Sequence, residues 1–139
     1  MKKITSITLH PIVLLILFCG LIISGESNAS FYISILMLGL PYGVMHAIIG
    51  VVGIVLLVLA IVLPKRSISS IVSLSGALCM IVSLFRFFTQ PGGSYNYNTF
   101  RESVPLILIL LFFLLIALFI IKHLKILLKG DHSVLSHNL

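Results

Sequence analysis

Charged residues are scarce in this chain of 139 residues, where Asp, Glu, Lys and Arg together make up only 9% of the sequence. A soluble domain of this length needs far more polar surface to cover its core. Hydrophobic residues instead make up 60%, and the mean hydropathy is +1.27. The composition therefore excludes an ordinary soluble domain and predicts an integral membrane protein.

Acidic residues are scarcer still, with only three Asp and Glu, and none of them lies within an apolar segment. A proton-coupled transporter that uses an intramembrane carboxylate is therefore disfavoured. P-loop, GxGxxG, HExxH and CxxC motifs are missing, as are a nucleophile–base pair and a cluster of metal ligands. The two cysteines fall in apolar runs and give no disulfide framework. We predict no catalytic residue, no metal site and no cofactor.

Apolar segments of about 20 residues are long enough for a helix to cross a bilayer. Four segments approach or exceed this length, at residues 7–24, 42–63, 67–88 and 104–121. Polar stretches interrupt the apolar sequence at "GESNAS", "PKRS" and "TQPGGSYNYNTFRES". We predict one transmembrane domain over residues 1–139, an all-α integral membrane four-helix bundle with a basic cytoplasmic tail at residues 122–139.

The second apolar tract runs from residue 31 to residue 63 and is too long for one upright helix. Within it, Pro41 lacks a backbone donor and disfavours helical conformation at Leu40. We therefore predict a break near Pro41, with a short interfacial or re-entrant segment before a span that begins at Tyr42. The alternative is a single kinked and tilted helix whose freed carbonyls are satisfied by neighbouring helices.

The basic residues indicate how the chain is threaded. Seven of them precede the first span, separate the second from the third, or follow the fourth: Lys2, Lys3, Lys65, Arg66, Lys122, Lys125 and Lys129. Only Arg86 and Arg101 lie near the opposite side. The positive-inside rule then places both termini in the cytoplasm, at a plasma or inner membrane.

The same distribution indicates the partner of the basic residues. Because they are scattered at segment ends, we predict no binding of nucleic acid. The predicted partner is the lipid bilayer, where Lys122, Lys125 and Lys129 share one face of a juxtamembrane helix and attract anionic lipid. Gly130 is the expected end of that helix.

Residues 1–29 also admit a second interpretation. "MKK", an apolar run and "SNAS" resemble a secretory signal peptide with a small-residue cleavage site. Cleavage would leave three spans in the same orientation. We favour an uncleaved first helix, because the apolar run is long for a signal peptide and a polar "GES" precedes the candidate site.

Small residues recur at helical spacing on the second and third spans. Such residues let helix backbones approach closely, which is a main source of helix association in lipid. The two stripes consist of Gly39, Gly43, His46, Gly50 and Gly53, and of Ser69, Ser73, Gly76 and Ser83. We predict that both stripes are packing faces, within one chain or in a homo- or hetero-oligomer with other membrane proteins.

His46 and Arg86 are the polar side chains that could carry a function within the spans. His46 could ligate haem or a metal, but it lies about one helical turn from the outer surface, where we expect contact with water or a serine. His10 and His123 lie at the other end, about 30 Å away, so only His46 from two subunits could close a haem site. Arg86 is expected to reach the interface or to pair with Glu102.

These observations predict a small multi-pass membrane protein that is non-catalytic. We interpret it as a structural or accessory subunit that acts through helix packing and through its outer loop, "PGGSYNYNTFRE". A small homo-oligomeric channel or carrier with a path lined by serine and glycine is an alternative. A redox subunit that uses His46 across a dimer is a third hypothesis.

Overall fold

The computed structural model of the chain describes residues 10–25, 28–90 and 93–135. These residues form five α-helices: α1 (Pro11–Cys19), α2 (Tyr32–Gly39), α3 (Met45–Val62), α4 (Arg66–Thr89) and α5 (Ser103–Leu135). They also form two 3-10 helices, Leu40–Tyr42 and Gly93–Phe100, and two strands, β1 (Ile22–Ser24) and β2 (Ala29–Phe31). The protein is therefore mostly helical.

Three of the helices in the described part of the chain are long and apolar enough to cross a membrane. They are Met45–Val62, Ser67–Thr89 and Ser103–Leu128, with 18, 23 and 26 residues. At 1.5 Å per residue they extend about 27, 35 and 39 Å, against a hydrocarbon core of about 30 Å. Large apolar side chains are exposed along all three helices, among them Val58, Phe85 and Leu114. Such a surface is compatible with a membrane protein.

The first predicted span, residues 7–24, is not one helix. Residues 7–9 lie outside the described part of the chain, and α1 ends at Cys19, after which β1 begins at Ile22. β-branched residues such as Ile22 and Ile23 suit a strand as well as a buried helix, so an apolar run does not separate the two. The all-α prediction is therefore wrong in this region, where β1 and β2 form a two-stranded antiparallel sheet.

The predicted break near Pro41 is confirmed. α2 ends at Gly39, the 3-10 helix Leu40–Tyr42 follows, and α3 begins only at Met45. Between them Gly43 has φ +66, and its N–H donates to the Leu40 carbonyl at 3.1 Å. A residue without a Cβ adopts this left-handed conformation at little cost. The tract at residues 31–63 is therefore a short helix, a turn and a long helix.

α3 and α4 form the central helix pair of the fold. A short turn at residues 63–65 joins them, and they pack against each other along their length. α5 packs on α4, α1 contacts α3 and α5, and α2 lies against the first turns of α3. The core between them contains fully buried aromatic side chains, including Phe18, Tyr32, Phe112 and Phe119.

The end of the bundle where α4 finishes and α5 begins is called the loop end. It consists of Ser24 and Gly25, the 3-10 helix Gly93–Phe100, residues 101–102 and the first turn of α3. At the other end, α5 continues past the predicted span at residues 104–121 and reaches Leu135. Gly130 lies within α5, so the predicted helix end at Gly130 is wrong.

Candidate functional site

A buried polar cluster lies near the loop end, where α2, α3 and α4 meet. His46, in the first turn of α3, is 5% exposed, and its Nδ1 lies 3.0 Å from Oε1 of Gln90, the residue that caps α4. Because an amide oxygen only accepts, Nδ1 of the imidazole donates and Nε2 carries the lone pair. The ring of Phe87 packs edge-on to the imidazole with 5.1 Å between centroids.

Two hydroxyl groups extend this cluster to α2. Ser83 donates from Oγ to the His46 carbonyl at 2.7 Å, and the Tyr32 hydroxyl lies 2.8 Å from Ser83 Oγ. Since the single hydroxyl proton of Ser83 is already donated, the Tyr32 hydroxyl is the donor in the second bond. Burial raises the pKa of Tyr32, although the bond with Ser83 opposes this shift, so the phenol stays protonated and able to donate.

We call this arrangement the hydroxyl chain, from Tyr32 through Ser83 to the His46 backbone. It joins one residue from each of α2, α4 and α3. Both bonds are buried, so a hydroxyl or carbonyl group that loses its partner cannot bond to water instead. The hydroxyl chain therefore fixes α2 against the α3–α4 pair.

The environment of His46 differs from the prediction. The sequence predicts an imidazole in contact with water or a serine, but the ring is buried and its Nε2 has no partner among the described residues. A ligand reaches Nε2 only after the surrounding side chains move, so this conformation does not present a haem or metal ligand. Sequence reasoning also missed Gln90. Gln90 could have been identified, because in an antiparallel helix pair the start of α3 lies beside the end of α4.

The small residues of the two stripes lie mainly at the contact between α3 and α4. A Cβ added at Gly53 would lie 3.0 Å from the Gly76 carbonyl oxygen, and one added at Gly76 would lie 3.0 Å from the Gly53 oxygen. A Cβ at Gly50 would lie 2.7 Å from Ser83 Oγ and 2.8 Å from Leu36 of α2. These distances leave no room for a side chain, so the backbones depend on glycine here.

The remaining stripe residues have different surroundings. A Cβ at Gly39 would lie 3.0 Å from a side chain of α3, whereas a Cβ at Gly43 would have no neighbour within 4 Å. Ser69 donates to a backbone carbonyl of α3 at 2.7 Å. Ser73 is fully buried, and its Oγ has no partner within the described part of the chain. Gly43 thus serves the turn and lies outside the packing face.

The loop end contains a second group of hydrogen bonds. The Thr99 hydroxyl accepts from the Ser24 N–H at 2.9 Å and donates to the Ser24 carbonyl at 3.2 Å. Ser24 Oγ donates to the Glu102 carboxylate at 2.5 Å, and Asn98 Nδ2 donates to the Gly25 carbonyl at 3.1 Å. These bonds fasten the 3-10 helix Gly93–Phe100 to β1. The part of the predicted outer loop that the structure describes, residues 93–102, is therefore held against the bundle by hydrogen bonds.

Of the two alternatives predicted for Arg86, reaching the interface or pairing with Glu102, the pairing is not formed. Glu102 accepts from Ser24, and Arg86 is exposed on α4. Beyond residue 121, Lys122 is half-buried and Lys125 is exposed on α5, while the side chain of Lys129 lies outside what the structure describes.

An apolar depression of about 360 Å³ lies between α4, α5 and the 3-10 helix Gly93–Phe100. Phe88, Tyr97, Phe100 and Phe113 are among the residues that line it. Thr89 also lines it, and its hydroxyl donates to a carbonyl of its own helix at 2.9 Å. The depression therefore offers apolar surface and no charged group.

Two further histidines, His10 and His123, contact residues of the helix that each one caps or belongs to. Nδ1 of His10 accepts from the Ile12 N–H at 3.3 Å and caps α1. His123 is 7% exposed and packs against Phe119, with 4.3 Å between ring centroids and 44° between ring planes. Within residues 10–25, 28–90 and 93–135, neither of its ring nitrogens has a partner. Over the same residues, no group of three or more His, Cys, Asp and Glu side chains could hold a metal ion.

Comparison with protein families, with curated proteins and with solved structures gave no match to this chain.

Proposed function

We propose that this chain is a non-catalytic, multi-pass membrane protein that acts as a structural or accessory subunit. In this proposal the helices lie in the bilayer as a four-helix bundle and the loop end recognises a partner membrane protein. The observation that carries it is the combination of three long apolar helices with an ordered, hydrogen-bonded loop end.

The fourth crossing in this proposal is made by α1 and β1 together. A nine-residue helix extends about 14 Å and a three-residue strand about 10 Å, and two residues join them. Irregular backbone is tolerated at membrane depth only where protein covers it. Ile23 and Ser24 of β1 are 2% and 3% exposed, and the Ser24 backbone groups are bonded to Thr99. The burial of β1 supports a crossing that is only partly helical.

Charge supports an orientation with the loop end outside the cytoplasm. Lys65 and Arg66 lie at the turn between α3 and α4, at the end opposite the loop end. Lys122 and Lys125 lie near the same end, because α5 runs back from the loop end at Ser103. The positive-inside rule then favours cytoplasmic termini, with these lysines at a surface of anionic lipid.

The packing favours an accessory subunit over a channel or carrier. A conducting path along the Gly and Ser stripes would need that face to be open. That face is closed, because a Cβ added at Gly50, Gly53 or Gly76 would lie 3.0 Å or less from an atom of a neighbouring helix. The small-residue face is used for packing inside one chain, which supports helix association as its role.

Cysteine labelling tests the proposed orientation. Ser67→Cys and Tyr97→Cys, each in a chain that also carries Cys19→Ala and Cys79→Ala, place one thiol at an exposed position of each end. A membrane-impermeant maleimide applied to intact cells should label the chain with Tyr97→Cys and should label Ser67→Cys only after permeabilisation. The reverse pattern would refute the orientation.

Flux measurements test the accessory role. Purified protein reconstituted into vesicles should leave the permeation of small ions and neutral solutes at the level of protein-free vesicles. Permeation that rises with the amount of protein, and that falls when serines of the Gly and Ser stripes are replaced, would instead support the channel or carrier.

A further inference from the structure

The two edges of the small sheet differ in how their backbone groups are satisfied. At the β1 edge, the Thr99 hydroxyl bonds to both the N–H and the carbonyl of Ser24. At the β2 edge, Ala29, Ser30 and Phe31 are all exposed. One edge is therefore covered by a side chain, while the other is open in the described part of the chain.

The register shows which backbone groups face the open edge. Two hydrogen bonds bracket the ladder, from the Gly25 N–H to the Asn28 carbonyl at 2.9 Å and from the Tyr32 N–H to the Leu21 carbonyl at 2.7 Å. Bonded and non-bonded pairs alternate along an antiparallel ladder.

Midway between these bonds, Ile23 and Ser30 form a bonded pair, so the flanking partners Ala29 and Phe31 form non-bonded pairs with β1. Their backbone groups consequently point away from β1. The Phe31 carbonyl accepts the first bond of α2, because Phe31 is the N-cap of that helix. The Ala29 N–H, the Ala29 carbonyl and the Phe31 N–H remain directed outward.

We propose that β2 is a strand-addition edge that pairs antiparallel with β2 of a second copy of this chain, about a twofold axis at Ser30. An unpaired strand edge is a template for another extended backbone, and unpaired groups near hydrocarbon are costly. Pairing about Ser30 aligns the outward groups of Ala29 in one copy with those of Phe31 in the other. The outward Phe31 N–H of each copy then finds the outward Ala29 carbonyl of the other.

The side chains favour a second copy as the occupant. Phe31 is 55% exposed, and beside it lies a depression of about 220 Å³ lined by Ile22, Ala29, Ser30 and Phe31. In the paired arrangement the large Phe31 ring of each copy lies opposite the small Ala29 of the other. A twofold interface must be self-complementary in this way. This inference deepens the proposed function by naming a partner, and it rests on that proposal only for the membrane location.

Disulfide cross-linking tests the pairing and its register. Ser30→Cys is introduced in a chain with Cys19→Ala and Cys79→Ala, and isolated, permeabilised membranes are treated with copper phenanthroline. Residues on a twofold axis in a non-bonded pair have Cα atoms about 4.5 Å apart, within the range of a disulfide. Ala29→Cys is the matched control, because diagonal positions lie about 7–8 Å apart. We expect a covalent dimer from Ser30→Cys and several-fold less from Ala29→Cys.

A dimer that forms equally well from Ala29→Cys, or no dimer from Ser30→Cys, would overturn the proposal. Because the oxidant reaches both sides of permeabilised membranes, this result does not depend on orientation. If cysteine labelling shows the proposed orientation but Ser30→Cys does not cross-link, only the dimer is refuted. If Ser30→Cys cross-links but the labelling pattern is reversed, only the proposed orientation is refuted.

Proline substitution at Phe31 removes the edge donor without disturbing the single chain. Phe31 has φ −68, which suits proline, and its N–H faces outward. Phe31→Pro in the Ser30→Cys chain should lower cross-linking about tenfold or more, because one backbone bond is lost from each copy. Phe31→Ala removes the ring but keeps the N–H, and should retain most of the cross-linking. Equal cross-linking of the two variants would overturn backbone pairing at this edge.

Discussion

Adding one methyl group at Gly50 should destabilise the protein, because the new Cβ meets two elements at once. It would lie 2.7 Å from Ser83 Oγ and 2.8 Å from a terminal carbon of Leu36. Ser83 cannot simply rotate away, since its hydroxyl bonds to both the His46 carbonyl and Tyr32. Gly50→Ala therefore displaces α2, or breaks the hydroxyl chain, or does both.

The magnitude follows from three contributions. Overpacking a close contact costs about 1–3 kcal/mol. Loss of one hydrogen bond in the hydroxyl chain adds about 1 kcal/mol, and the better helix propensity of alanine recovers about 1 kcal/mol. The net loss in the free energy of unfolding is about 2 kcal/mol, which corresponds to a fall in Tm of roughly 7 °C for a chain of this size.

Thermal unfolding of detergent-purified protein, followed with a thiol-reactive fluorescent dye, measures this effect. The half-buried Cys19 and Cys79 report the loss of structure. Val52→Leu is the matched control, because it also adds one carbon to α3 but at a side chain that is 45% exposed. Its Tm should change by less than about 2 °C. An equal Tm for the two variants would refute the close approach of α2, α3 and α4 at Gly50.

Three further substitutions test the loop end, the turn and the hydroxyl chain by the same assay. Thr99→Val keeps the shape of the side chain but leaves the buried N–H and carbonyl of Ser24 without partners. It should lower the free energy of unfolding by about 2 kcal/mol. An unchanged Tm would show that the loop end is not fastened to β1. Gly43→Ala places a Cβ in the left-handed region at φ +66 and should cost about 1 kcal/mol although nothing surrounds it, so a rise in Tm would contradict the turn. Tyr32→Phe removes one donor and should lower the free energy of unfolding by about 1 kcal/mol when Ser83 is intact. The loss should be much smaller in a protein that also carries Ser83→Ala, and equal losses in both backgrounds would refute the bond between the two hydroxyls.

The features that the sequence predicts are those with a local chemical cause. Pro41 lacks an N–H and restricts its neighbour, so the break in the long apolar tract could be placed within a few residues. Lys65 and Arg66 interrupt an apolar sequence that is otherwise continuous, so the turn between α3 and α4 could be placed as well. Neither feature requires knowledge of what the rest of the chain contacts.

The features that could not be predicted depend on contacts between distant segments. Ile22 and Ile23 continue an apolar run, and only pairing with β2 and covering by Thr99 make this run a strand. The hydrogen bond between Ser24 and Thr99 joins residues 75 positions apart. Position along the helix alone predicts that His46 reaches water. Side chains from α4 bury it instead.

The hydroxyl chain has a consequence for the order in which the protein is made. Tyr32 precedes α3 in the sequence, but its hydrogen-bond partner lies 51 residues later on α4. At a synthesis rate of about 5–20 residues per second, Ser83 follows Tyr32 by roughly 3–10 s. Throughout that interval the Tyr32 hydroxyl has no native partner, and α2 has only α3 to lie against. The bond that fastens α2 to α4 is therefore completed only after both α3 and α4 have been synthesised.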